Sequence, residues 1–163
     1  MNIEELILRF SDTSEQQERA IFSSLFILGN RLQTLFDNHI KDISLKQFML
    51  LSLIRNSKEE LTFTQLGNLL GCSRQNVKKL ACALEEKGFI NIMKSSSDAR
   101  ALSARVTKKT KEYWEKEFLK HQQELSFLFE VYTREEIAML FQLLMKLYSG
   151  IDHLEGKVTD EKP

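Results

Sequence analysis

Between Arg74 and Lys79 the chain places Arg74, Gln75, Asn76, Lys78 and Lys79, and further on Lys94, Asp98, Arg100 and Arg105. Guanidinium and ammonium groups pair with phosphates, while guanidinium and primary amides can also read base edges. These residue types suit recognition of a nucleic acid better than covalent chemistry. Nothing elsewhere in the chain competes with that reading. There is no glycine-rich phosphate loop, GxSxG or HExxH, and no close pair of acids on an expected cleft, so neither an enzyme nor a cofactor is expected. His39, His121 and His153 are scattered, and two cysteines, Cys72 and Cys82, do not make a metal site, so no metal is expected.

Such groups need rigid elements to present them. Thr62 and Gln65 have capping-box spacing, with Leu61 and Leu66 placed as a hydrophobic staple, and Gly71 ends the helix they start. Ser73 then caps a second helix, RQNVKKLACALEEK, which Gly88 terminates. Two short helices joined by Gly-Cys-Ser predict a helix-turn-helix. In the second, Val77, Leu80, Ala81 and Leu84 form an apolar stripe facing the core, leaving Arg74, Gln75, Lys78, Lys79 and Cys82 on the other face. Its acids, Glu85 and Glu86, fall at the far end.

Alternating apolar and polar runs, FINIMK and ALSARVT, flank SSSDAR and predict a two-stranded hairpin. Helix, helix-turn-helix and hairpin in that order predict a winged helix-turn-helix in a mainly α chain. In that arrangement the second helix enters the major groove and the hairpin reaches the backbone or minor groove. Arg100 at the tip suits a narrow, electronegative minor groove, with Asp98 expected to pin its guanidinium by a charge-assisted bond. Lys94, Arg105, Lys108 and Lys109 are expected to meet phosphates.

The remaining helices are read from apolar spacing. Ile3, Leu6, Ile7 and Phe10 make a short one. A longer one follows SDTSEQQ and ends near Asn38, and Leu45–Asn56 is apolar nearly all round, hence buried. Thr107 is expected to cap a helix carrying Tyr113, Trp114, Phe118, Leu125 and Leu128. Thr133 and Glu136 form a capping box for the last helix, through Ile151, with a frayed tail at 156–163.

The bulk numbers agree. Of 163 residues, 42% are hydrophobic, enough for a core. No apolar run is long enough to span a membrane, and MNIEELILRF carries acids where a signal peptide carries basic residues, so a cytoplasmic protein is expected. The net charge of zero conceals segregation: residues 73–111 hold ten basic and three acidic residues, between acidic flanks. A basic block of that kind suits a polyanion.

From Leu61 to Thr107 the chain resembles the MarR family of bacterial transcriptional regulators. The resemblance rests on Leu61-Thr62, the Ser73 cap, Leu84-Glu85-Glu86-Lys87-Gly88, Asp98-Ala99-Arg100 and Val106-Thr107. Gly67, Lys94 and Thr110 depart from the family's usual alanine, arginine and glycine. The resemblance implies a homodimer joined through N- and C-terminal helices, placing two recognition helices on an inverted-repeat duplex. The expected divisions are therefore 1–43 and 108–155 for dimerisation around a DNA-binding core at 44–107.

The resemblance also implies control by a small-molecule effector or by cysteine oxidation. Phe22, Phe26, Trp114 and Phe118 are the aromatic residues available to line an effector cleft, although such spacing is commoner in a core. Cys82, beside Lys78 and Lys79, is the thiol placed for oxidation, since nearby cations favour the reactive thiolate. The alternative is a winged helix that contacts another protein, such as an anti-repressor binding a regulator instead of DNA.

Overall fold

A computed structural model describes residues 3–9, 11–39 and 42–160. Phe10, the side chains of Leu6 and Phe118, and residues 161–163 of the expected tail lie outside what it describes. The elements in chain order are α1 (Ile3–Leu8), α2 (Ser14–His39), α3 (Leu45–Asn56), α4 (Phe63–Leu70), α5 (Arg74–Glu86), β1 (Ile90–Lys94), β2 (Leu102–Val106), α6 (Lys108–Phe129) and α7 (Arg134–Asp160). They fall into two compact units, Met1–Lys111 and Glu112–Pro163.

Local chemistry sets most helix ends. Ser44 and Gln47 make a capping box at α3, as do Thr62 and Gln65 at α4. Thr133 and Glu136 do the same for α7, the Glu136 carboxylate accepting from the Thr133 amide at 2.8 Å. Thr13 and Gln16 form a further such pair, and α2 therefore starts at Ser14, within the stretch expected to be a loop. At the other end of the chain, α7 continues through Gly156 to Asp160, where a frayed tail was expected to begin. A single glycine in a helix costs only about 1 kcal/mol against alanine and need not stop it.

The core of the first unit lies where α3, α4, α5 and the hairpin converge. Ile43, Leu50, Leu51, Phe63, Leu66, Val77, Ala81, Leu84, Phe89 and Ile90 are buried there. Each large side chain so buried contributes about 2 kcal/mol. Although α3 is apolar nearly all round, only one face is buried: Leu50 and Leu51 are enclosed, while Met49 is 47% exposed.

Close approach of α4 and α5 depends on Gly67. The Cys72 amide folds back to donate to the Gly67 carbonyl at 2.9 Å, after Gly71 at a φ of 63°. The carbonyl of Cys72 then lies so near that a Cβ on residue 67 would sit 2.6 Å from it. Glycine, rather than the alanine usual in the resembling family, lets this turn close.

Helix α5 ends in a Schellman turn: Gly88, at a φ of 76°, donates to the Glu85 carbonyl, and the Phe89 amide donates to that of Leu84. The chain enters β1 directly and pairs antiparallel with β2, Ile90 opposite Val106 and Lys94 opposite Leu102. Both outer edges of this ribbon are engaged. The Glu85 carboxylate accepts from the Ile92 amide at 2.6 Å, and Thr62 forms a bridge with Ser103. Ser103 is consequently fully buried, on a strand position that alternation assigns to solvent.

The expected capping by Thr107 takes a different form. Its hydroxyl donates to the carbonyls of Gly88 and Phe89, at 2.7 and 3.1 Å, and so ties the start of α6 to the α5–β1 turn. Thr110, fully buried, donates its hydroxyl to the same Phe89 carbonyl. The departure from glycine at this position thus supplies a donor to the hub.

Candidate nucleic-acid interface

On α5 the N-terminal turns are anchored by the Ser73 hydroxyl, which accepts from the Asn76 amide at 3.2 Å. Val77, Ala81 and Leu84 point into the core, and Leu80 is half-buried. The helix is thereby locked in rotation about its axis, and Arg74, Gln75, Lys78 and Lys79 are fixed on the exposed side. Asn76 is half-buried at the edge of that face. Cys82 is a free thiol, half-buried one turn beyond Lys78 and Lys79. Glu85, expected merely to be out of the way, holds β1 through the Ile92 amide.

The basic residues divide into two groups. Among the described residues, Arg74, Lys78, Lys79, Lys94 and Arg100 have neither a hydrogen bond from the side chain nor an ion pair. Others are used internally. Lys87 donates from Nζ to the Asp42 carbonyl at 2.8 Å and to Gln47 Oε1 at 3.1 Å. Lys109, expected at a phosphate, donates to the Lys87 carbonyl at 2.7 Å with its ammonium 4.7 Å from the centre of the Phe89 ring. Arg105 pairs through Nη2 with Glu60 Oε2 at 3.3 Å, although its side chain is 66% exposed.

At the tip of the hairpin Asp98 does not form the expected ion pair. Its Oδ1 accepts from the backbone amide of Arg100 at 2.9 Å, and its carbonyl accepts from Ala101 at 2.9 Å. An aspartate two residues before its partner's amide closes an Asx turn, a bond available at any orientation of the arginine side chain. The acid shapes the loop and leaves the Arg100 guanidinium projecting into solvent.

Glu60, in the turn before α4, was not singled out by the sequence reading. Its carboxylate accepts from the Ser96 amide at 2.8 Å as well as from Arg105. The Ser96 amide, then the Ser95 hydroxyl, hold its carboxyl down at about 2, with smaller help from the Ser103 hydroxyl and the Arg105 guanidinium, while burial opposes them. Ser103 Oγ is buried without a partner of hydrogen-bonding geometry among the described residues, so its help is that of a nearby dipole. No local motif could have revealed Glu60, because its partners lie 36 and 45 residues away in the chain.

Of the aromatic residues considered for an effector cleft, Phe22, Phe26 and Trp114 have described side chains. Phe22 and Phe26 are exposed on α2 in edge-to-face contact, 5.1 Å between centroids, and Trp114 is buried on α6. No group of three potential metal ligands occurs among the described residues, and no described helix is long and apolar enough to cross a membrane.

A second helix locked by its apolar stripe, with unpaired cations outward and a two-stranded wing beside it, defines a winged helix-turn-helix protein. Residues 43–102 match the model of the MarR family. Over α3 through β1, the chain is thus similar to that family. It is 28% identical over 106 residues to the transcriptional repressor MprA of Escherichia coli K12, a match spanning 65% of this chain and 60% of that relative. Among solved structures, a MarR/EmrR family transcriptional regulator from Acinetobacter sp. ADP1 superposes with a TM-score of 0.74 at 22% identity, over 83% of this chain and 97% of that one. The Staphylococcus aureus MepR–DNA complex gives 0.69 at 21% identity, over 80% and 97%. Likenesses at that identity establish the fold.

Proposed function

We propose that this protein is a cytoplasmic, sequence-specific DNA-binding transcriptional regulator that acts as a homodimer on an inverted-repeat operator. Helix α5 enters the major groove and the wing reaches the adjacent minor groove. The observation that carries this reading is the exposed, unpaired set Arg74, Lys78 and Lys79 with Gln75 on the first turns of α5. The relative described as a repressor and the MepR structure described as a DNA complex support it.

Arg100 and Lys94 extend the same positive surface along the wing, and Ser73 and Asn76 fix the helix start from which it begins. The homodimer is favoured by apolar surface left uncovered on individual helices. Phe22 and Phe26 on α2 are 63% and 62% exposed, and Phe141 and Tyr148 on α7 are 61% and 63% exposed. Clusters of large apolar side chains in water mark contact surfaces.

The test is fluorescence anisotropy on duplexes from upstream of the protein's own gene over a salt series. A steep salt dependence is expected, and Lys79→Ala, removing one phosphate contact from each protomer, should flatten the log–log slope by about 2. Arg100→Ala should weaken the preferred site more than random duplex if it reads groove shape, and both equally if it meets phosphate. Absence of duplex binding at low salt would overturn the reading and favour a protein partner for the same basic face.

A further inference from the structure

Glu60 grips both arms of the hairpin. One carboxylate oxygen takes the amide of Ser96, the first residue of the tip past buried Ser95, and the other takes the Arg105 guanidinium on the returning strand. The carboxylate is itself 16% exposed, so these bonds compete little with water. It is fixed to α4 from below, since Leu61 and the Thr62 cap follow it immediately and Thr62 bridges Ser103. A two-stranded ribbon alone is marginally stable and free to swing. Here one side chain joins its far end to the turn that begins the helix-turn-helix.

We propose that Glu60 is the positioning residue of the wing, holding the tip at a fixed angle to α5 so that Arg100 and the α5 cations engage one duplex together. The proposal rests on the DNA-binding reading. It also gives Arg105 a different part from the other cations: its charge is shared with Glu60, so it serves as a strut in the hairpin more than as a phosphate contact. The hydroxyls of buried Ser95 and Ser103 beside the carboxylate favour its ionised form.

The experiment pairs amide hydrogen exchange in DNA-free protein with anisotropy on Glu60→Ala, Glu60→Gln, Arg100→Ala and the Glu60→Ala/Arg100→Ala double variant. In Glu60→Ala the Ser96 amide should exchange about tenfold faster or more, the scale of one charge-assisted bond, while the Phe89 amide at the end of α5 is unchanged. Glu60→Gln, which keeps an acceptor for Ser96, should lie between. Glu60→Ala should bind the preferred duplex about tenfold more weakly, and the double variant no more weakly than Arg100→Ala, because Glu60 acts through the tip. Unchanged Ser96 exchange, or a double variant showing the product of both losses, would overturn the proposal. If wild type binds no duplex, the DNA reading fails by itself, and the exchange result still decides whether Glu60 holds the wing.

Discussion

Replacing Gly67 with alanine sets two opposed effects against each other. In a helix interior alanine is favoured over glycine by about 1 kcal/mol, and the resembling family commonly uses it. Here, however, the added Cβ would meet the Cys72 carbonyl at 2.6 Å, well inside the ordinary contact distance. That carbonyl belongs to backbone held by the Cys72–Gly67 hydrogen bond at 2.9 Å and by the left-handed Gly71, so it cannot rotate away as a side chain would. Relief requires the α4–α5 turn to open by several tenths of an ångström, and overpacking of this kind costs about 1–3 kcal/mol. The steric term exceeds the propensity gain, and a net destabilisation of about 1 kcal/mol is expected. For a chain of this size that lowers the Tm by about 2–4 °C. Urea and thermal unfolding, at one fixed protomer concentration so that association does not shift the comparison, measure it. Because Ser73 follows the displaced residue, the Asn76 amide should also shift in a nitrogen–proton correlation spectrum. A rise in Tm would refute the reasoning, showing that the turn yields at no cost.

Three further outcomes follow from the same structure. Ser73→Ala removes the acceptor of the Asn76 amide and should cost about 1 kcal/mol in urea unfolding, with Ser73→Asp recovering most of it. Thr110→Val keeps the buried volume and removes one of three hydrogen bonds to the Phe89 carbonyl; since the Thr107 amide and hydroxyl still satisfy that oxygen, the loss should stay near 1 kcal/mol, and a loss above about 3 kcal/mol would contradict this. Glu60 has its carboxyl lowered from 4.5 to about 2, so the ionised form is favoured in the native state; its contribution is complete above 4.5 and disappears as the pH falls toward 2. The gap in urea midpoint between wild type and Glu60→Gln should accordingly hold steady from neutral pH to about 5 and narrow only below that.

What was legible in the chain is what short-range chemistry decides. The capping pairs at Thr62 and Thr133, the Ser73 cap, and the glycines at 71 and 88 act on neighbours three to five residues away, and each does what its spacing implies. The two strands of the hairpin likewise lie where alternation on either side of one loop places them. The Thr13–Gln16 box was hidden in a polar cluster that reads equally well as loop. Asp98 and Arg100 illustrate a different limit: a separation of two suits an ion pair and an Asx turn alike, and only the backbone geometry chooses. Nor does composition separate cations that face solvent from those that act as struts. Lys87, Arg105 and Lys109 lie in the same basic block as Lys78 and Lys79, and tertiary partners alone distinguish them. Glu60 belongs to this last kind.

The closed edges of the hairpin restrict what can join it. A ribbon of two strands normally offers a free ladder on each side, on which another extended chain can pair without regard to its sequence. In this molecule a carboxylate from α5 occupies the Ile92 donor, and the start of α4 lies along the other side at Ser103. Backbone-to-backbone annealing is thereby obstructed at the middle of both strands. An extended chain therefore finds no free ladder there, a safeguard against the hairpins of neighbouring molecules zipping together at high concentration.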